Sequence, residues 1–162
     1  MKTIFINRKK ALLSLFAGIA LSVFSISCSK DDNNNGNDQM YNTSGNASGA
    51  QENPQVTTTG TGTLSGTYTA STNNWQYAVN WSTLSSTATA VEIHGPAASG
   101  VNASLLLALT ITLPGVSGSA SGNVTLTEEQ EAWLFAGQLY YTVLTATNIT
   151  GEIRGQISAS AQ

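Results

Sequence analysis

Positive charge is scarce in this sequence. Charged residues make up 9% of its 162 positions, and beyond Lys30 the only basic residue is Arg154, against six glutamates. A nucleic-acid-binding surface needs several lysine and arginine side chains to neutralise phosphates. One arginine cannot supply such a surface, so nucleic acid is not an expected partner.

Cysteine and histidine occur once each, as Cys28 and His94, and aspartate is absent after residue 38. A single cysteine excludes a disulfide within the chain. Zinc and copper sites need three or four protein ligands, and a general base needs a nucleophile within reach. We therefore predict no catalytic residue, no metal ligands and no cofactor. His94 is expected to hydrogen-bond to backbone or to a carboxylate beside Gly95-Pro96.

The N-terminal segment has the pattern of a secretory signal. Basic residues near the start precede an apolar run over residues 11–27, which ends at Cys28. This run is short for a membrane span, and Ser27-Cys28 fits a bacterial lipoprotein signal. We predict a signal peptide over residues 1–27 and lipidation, including palmitate, at Cys28. A plain signal peptide with an incidental cysteine stays open as the alternative.

The residues after Cys28 bear on location. Lys30, Asp31 and Asp32 follow the cysteine closely, and this order resembles the start of surface lipoproteins in Bacteroidota-type Gram-negative bacteria. The resemblance implies an outer-membrane lipoprotein exposed at the cell surface; a solvated charged tether is the alternative. Residues 28–46 are rich in Asn, Asp, Gly and Ser, which predicts that they form a disordered tether.

Residues 47–162 are predicted to form one all-β domain. The clearest strand has Trp75, Tyr77, Val79 and Trp81 at every second position, which indicates one buried face. Similar patterns predict strands at 61–70, 89–94, 104–113, 118–126, 138–145 and 151–158. Within 104–113, one buried face is expected to carry five alternating residues: Leu105, Leu107, Leu109, Ile111 and Leu113. The aromatic residues are expected in the core, with a carbohydrate-stacking platform of Trp75, Trp81 and Tyr140 as the alternative.

A single helix is predicted at residues 128–136. Thr127 and Gln130 match a capping box, and Gly137 is suited to end the helix. Seven or more short strands with one helix favour a single antiparallel β-sandwich, similar to immunoglobulin or superoxide dismutase domains.

Three ordered motifs resemble those of the CHRD domain, a module named from chordin. They are Ser48-Gly49-Ala50-Gln51-Glu52-Asn53-Pro54, Val91-Glu92-Ile93-His94-Gly95-Pro96-Ala97, and Leu139 to Ala146 followed by Gly151-Glu152-Ile153-Arg154-Gly155-Gln156. The resemblance implies no fixed enzymatic activity. The family usually has histidine at the positions of Glu92 and Leu144, so a site built on three imidazoles would retain only His94.

The motif residues also predict a polar cluster of Glu52, Glu92, His94, Glu152 and Arg154. Alternation places Glu92 and His94 on one face of their strand, and Glu152 and Arg154 on one face of theirs. We expect Arg154 to form an ion pair with Glu52, Glu92 or Glu152, and His94 to lie close by. A ligand-binding arginine is the alternative.

The favoured function is a lipid-anchored, non-enzymatic CHRD-domain protein of the cell envelope. It would bind a protein or glycan ligand, or act in adhesion, and would contact the membrane through its N-terminal lipid. The main alternative is a divergent metal-binding or redox protein on a superoxide-dismutase-like sandwich. An inert structural spacer is a third possibility.

Overall fold

The computed structural model describes residues 39–162, which form ten strands, one α-helix and one 3₁₀ turn. The predicted signal peptide, Cys28, and the Lys30-Asp31-Asp32 motif lie outside the described residues. The elements are β1 (Met40–Ser48), a 3₁₀ turn (Gly49–Gln51), β2 (Thr61–Thr69), β3 (Asn74–Ser82), β4 (Ala88–His94), β5 (Leu105–Leu109), β6 (Ile111–Leu113), β7 (Gly118–Thr125), α1 (Glu128–Phe135), β8 (Tyr140–Thr145), β9 (Ile153–Gln156) and β10 (Ser158–Ala161).

The β2–β3 hairpin shows how the sequence sets this fold. Its strands pair in register from Thr61↔Ser82 to Thr69↔Asn74, and Asn73 adopts a positive φ of 53° in the turn. Asparagine tolerates this left-handed conformation better than most residues. The alternating aromatic residues of β3 face inward, and Trp75 is completely buried. The two predicted strands and the buried face of β3 are confirmed.

The strands form one continuous hydrogen-bonded path in the order β5-β4-β8-β9-β1-β2-β3-β7-β6, with β10 also paired to β1. All pairings are antiparallel. The two ends of the path, β5 and β6, are joined by the single residue Thr110, so the sheet is nearly closed. The all-β prediction is confirmed, and the strands expected of two sandwich sheets are hydrogen-bonded into one curved sheet.

The predicted boundary at Ala47 is wrong, because β1 begins at Met40. Residues 40–48 pair along their whole length with β2, and Tyr41–Ser44 pair on the other side with β10. The buried Thr43 hydroxyl accepts a hydrogen bond of 2.9 Å from the Trp75 indole. Pairing on both edges therefore orders a segment whose composition resembles that of a tether.

The predicted strand at 104–113 is also corrected. It is split at Thr110 into β5, which pairs with β4, and β6, which pairs with β7. Only Leu109 of the five alternating residues is fully buried, while Leu105 and Leu113 are 53% and 60% exposed. The chain crosses between the two ends of the sheet here, so the buried face does not continue through the segment.

The predicted helix and its capping box are confirmed. The Thr127 hydroxyl accepts a hydrogen bond from the Gln130 amide, and the Gln130 side chain accepts one from the Thr127 amide. Gly137 follows with a φ of +65°, which suits a helix end. Leu134 is fully buried, and Trp133 packs against the core.

The pairings and the core lie together in one part of the chain. Each strand of the path pairs within residues 40–161, and the hydrophobic cluster extends from Tyr41 to Ala159. This segment therefore has what it needs to fold as a unit. Between residues 39 and 162, no helix has the length and apolar character needed to cross a membrane.

Candidate functional site

Three neighbouring strands bring the motif residues together on one face of the sheet. β8 lies between β4 and β9, and the pairing aligns Glu92 with Thr142 and Thr142 with Arg154. The next position toward the strand end aligns His94 with Tyr140. We call these five residues, together with Glu52, the Tyr140 site.

His94 is held from both sides of its ring. Its Nε2 lies 3.0 Å from Glu92 Oε2, its Nδ1 lies 3.0 Å from the Ala103 carbonyl oxygen, and the ring stacks on Tyr140 at a centroid distance of 5.2 Å. Each ring nitrogen therefore has an oxygen atom of the protein within hydrogen-bond distance.

Arg154 does not form the predicted ion pair. Among the described residues no carboxylate lies within 4.0 Å of it; the pair that does form is His94 with Glu92. The guanidinium donates to Asn102 Oδ1 at 3.1 Å and to the Val101 carbonyl at 2.8 Å. Its central carbon also lies 3.4 Å from the centroid of the Tyr140 ring, a cation–π contact.

These contacts anchor the loop that follows β4. Arg154 binds its residues Val101 and Asn102, while Ala103 accepts from His94 and donates to the Tyr140 hydroxyl at 3.0 Å. The Asn102 side chain in turn donates to the Asn53 carbonyl at 2.7 Å. The buried arginine thus positions a loop rather than neutralising an acid.

Glu52 enters the site from the segment after the 3₁₀ turn. Its Oε1 accepts a hydrogen bond of 2.7 Å from the Thr142 hydroxyl, and its side chain is 9% exposed. A Cβ on Gly151 would lie 2.5 Å from that oxygen, so only glycine leaves room for this contact. Burial raises the pKa of Glu52, and the Thr142 hydrogen bond, Arg154 and His94 only partly oppose the shift.

A cavity of about 280 Å³ opens beside these residues. Its wall includes polar or titratable side chains from three parts of the chain: Glu52, Asn53, His94, Asn102, Tyr140 and Thr142. Arg154 is not among the lining residues. Glu52 Oε2 accepts no hydrogen bond from residues 39–162, which leaves a carboxylate oxygen available at the cavity wall.

Glu152 lies apart from the Tyr140 site. Its carboxylate accepts hydrogen bonds of 2.6–2.8 Å from the Thr58 hydroxyl, the Ser85 amide and hydroxyl, and the Thr145 hydroxyl. Burial acts to raise its pKa, but these hydrogen bonds outweigh burial and lower the pKa to about 2. We call these four residues the Glu152 cluster; the predicted grouping of Glu152 with Arg154 is therefore wrong.

The described residues also bear on two alternatives, a metal site and a sugar-stacking platform. No three His, Cys, Asp or Glu side chains within residues 39–162 lie close enough to share a metal ion. Trp75, Trp81 and Tyr140 are 0%, 4% and 4% exposed, so they offer no exposed platform for sugar stacking.

The predicted polar cluster did not include Tyr140 and Thr142 of the Tyr140 site, nor Asn102 of the adjoining loop. Tyr140 and Thr142 alternate with the buried Leu139, Tyr141 and Val143, and that alternation already placed them on the polar face. No comparable signal pointed to Asn102, which follows no recognisable pattern.

Comparison with protein families agrees with the three motifs. The family model of the CHRD domain matches residues 43–157, which include every residue of the Tyr140 site. Searches among curated proteins and among solved structures gave no match. The chain belongs to the CHRD-domain family.

Proposed function

We propose that this CHRD-domain protein is a non-enzymatic binding module anchored to the bacterial cell envelope by a lipid on Cys28. The observation that carries the binding role is the cavity of the Tyr140 site with its available Glu52 oxygen. The lipid anchor is supported by the apolar run before Cys28, and exposure at the cell surface by Lys30-Asp31-Asp32.

The charges around the cavity favour a particular ligand chemistry. The lining residues include a carboxylate, while the only arginine of the domain is engaged by Val101 and Asn102 of the loop after β4. A partly buried carboxylate with a free oxygen binds groups that donate hydrogen bonds, above all cationic ones. We expect a ligand that inserts an amine or several hydroxyl groups, such as an amino sugar of a glycan.

A non-enzymatic role is supported by the state of His94. Both ring nitrogens lie 3.0 Å from oxygen atoms of the protein, so both are directed at the protein rather than at a substrate, which argues against general-base catalysis by His94. The same contacts argue against the alternative of a metal or redox site. Stoichiometric copper or zinc in purified protein would favour that alternative instead.

Binding can be tested with soluble protein of residues 29–162, which retains the whole described domain. A glycan array containing amino sugars should give signals that fall at least tenfold in Glu52→Gln. Glu128→Gln, on the exposed helix, removes the same charge and should bind like the parent. Equal binding by all three proteins would place the ligand elsewhere.

The anchor is tested separately on the full chain. Cys28→Ala should abolish incorporation of radiolabelled palmitate and release the protein from the membrane fraction. Protease added to intact cells should digest the parent protein if it faces the medium. Unchanged membrane association and mass in Cys28→Ala would contradict the anchor without affecting the binding role.

A further inference from the structure

The nearly closed sheet leaves a seam between β5 and β7. Among residues 39–162, β6 pairs with β7 only at Ser119 and Ala120, and β5 pairs only with β4. The edges of β5 and β7 therefore converge at Thr110, and no strand of this part of the chain lies between them toward Leu105 and Leu126. The seam is a wedge, closed at one end by the chain itself.

A β-bulge turns two consecutive leucines toward this seam. The β4–β5 register shifts between Ile93 and His94, where Ile93 pairs with Leu107 and His94 pairs with Leu105. Leu106 is therefore the extra residue, and both Leu106 and Leu107 are half-buried against the core. Bulges commonly redirect side chains in this way beside functional sites.

An apolar cavity of about 260 Å³ occupies the wedge. The fully buried Trp75 and Ile93 belong to its wall, which is completed by aliphatic residues of the two strand ends. Its apolar lining is Trp75, Ile93, Leu106, Leu107, Val124 and Leu126. A cavity of about 150 Å³ with aliphatic walls can hold benzene, so this one has room for roughly eight to ten heavy atoms.

The mouth of the cavity determines which head group is acceptable. Thr125, Thr127 and Gln130 supply polar atoms there, and Glu128, Glu129 and Glu131 lie in the adjoining first helical turn. The domain has no basic residue near this mouth, because its single arginine is buried in the Tyr140 site. The charges therefore disfavour an anionic head group.

We propose that the seam between β5 and β7 binds a slender alkyl chain of about eight carbons with a neutral or cationic head group. This site is separate from the Tyr140 site and does not depend on the function proposed above. Its ligand class is a medium-chain alcohol or amine, or the corresponding part of a larger molecule.

The test uses Trp75 as a reporter in the protein of residues 29–162. 8-Bromo-1-octanol should quench part of the tryptophan fluorescence in a saturable manner, and 1-octanol should reverse the quenching. Octylamine should compete as well as octanol, whereas octanoate at neutral pH should be at least tenfold weaker.

Variants locate the site. Val124→Phe fills the cavity and should weaken binding of 8-bromo-1-octanol, measured by quenching, at least tenfold. Leu105→Phe, on the exposed part of the same seam, should be quenched like the parent. If Val124→Phe does not melt cooperatively, Leu107→Phe replaces it.

Three results would overturn the proposal. One is quenching that rises linearly with the concentration of 8-bromo-1-octanol, or that is equally strong in Val124→Phe and in the parent. Another is tightest binding by octanoate. The third is dimerisation of the protein through the seam, if octanol does not change the amount of dimer. That result would assign the seam to a second copy of the chain.

Discussion

Two buried glutamates of this domain, Glu152 and Glu52, have opposite environments. Glu152 is fully buried and accepts four hydrogen bonds, whereas Glu52 is 9% exposed and accepts one. The pKa of Glu152 falls to about 2, and that of Glu52 rises. Burial opposes ionisation in both cases, so the number of donors decides the direction.

The difference separates a structural acid from a candidate binding residue. The donors around Glu152 satisfy its charge and join the segments of Thr58, Ser85 and Thr145. Glu52 keeps an oxygen without a donor at the wall of a cavity. A carboxylate that the protein leaves undersatisfied has more to gain from a ligand than one that the protein has saturated.

The largest effect is expected for Glu152→Gln. The amide would lose the charge and would turn an NH₂ group toward donors, leaving buried donors without acceptors. The free energy of unfolding should fall by about 3–5 kcal/mol, a large part of the roughly 5–15 kcal/mol of a typical domain. Urea denaturation would measure it, with Glu128→Gln as a control expected to change stability by less than about 1 kcal/mol. A loss as small as the control's would contradict the structural role.

Acid should remove the same contribution from the parent protein. Because folding lowers the pKa of Glu152 from 4.5 to about 2, its stabilisation is present above pH 4.5 and is lost as the pH falls toward 2. The stability gap between parent and Glu152→Gln should therefore shrink by about 3 kcal/mol across this range.

The raised pKa of Glu52 works in the other direction. Its ionised form is disfavoured in the folded state, so this residue adds stability as the pH falls through its folded pKa toward 4.5. The free energy of unfolding of the parent should therefore rise relative to that of Glu52→Gln as the pH falls through this range. Denaturation curves at several pH values would check both trends, and parallel profiles for all three proteins would refute the comparison.

Arg154→Met is expected to have the next largest effect. The substitution leaves the Val101 carbonyl and Asn102 Oδ1 without their donor and removes the contact with Tyr140, at a cost of about 2–3 kcal/mol. In double-mutant cycles, Arg154 should couple to Asn102→Ala more strongly than to Glu52→Gln. Stronger coupling of Arg154 to Glu52 than to Asn102 would instead support the ion pair predicted from the sequence.

The sequence predicted best where local patterns and burial agree. β3 alternates large aromatic residues with polar ones, and α1 begins with a complete capping box. β1 was missed because its Asn, Ser and Gly residues resemble a tether; its order comes from pairing with β2 and β10, which are distant in sequence.

For the candidate site, the sequence predicted several of the residues that come together but not the contacts that they make. Alternation and the family motifs brought Glu92, His94 and Arg154 to one face. The partners of Arg154 include a backbone carbonyl, which any residue could provide, so no residue type could reveal it. The separation of Glu152 from Arg154 likewise depends on Thr58 and Ser85, which local sequence does not connect to Glu152.

The smallest effect on stability, and the sharpest separation of the two glutamates, is expected for Glu52→Gln. Its neutral amide is close in shape to the form that burial favours and can still accept from Thr142, so the free energy of unfolding should change by less than about 1 kcal/mol. Binding of amine or polyol ligands should nevertheless fall at least tenfold, because the charged oxygen at the cavity is gone. Thermal melts and isothermal titration with the best ligand from the glycan array would measure the two quantities on the same sample. A variant that loses stability like Glu152→Gln while it keeps the ligand would show that both glutamates are structural.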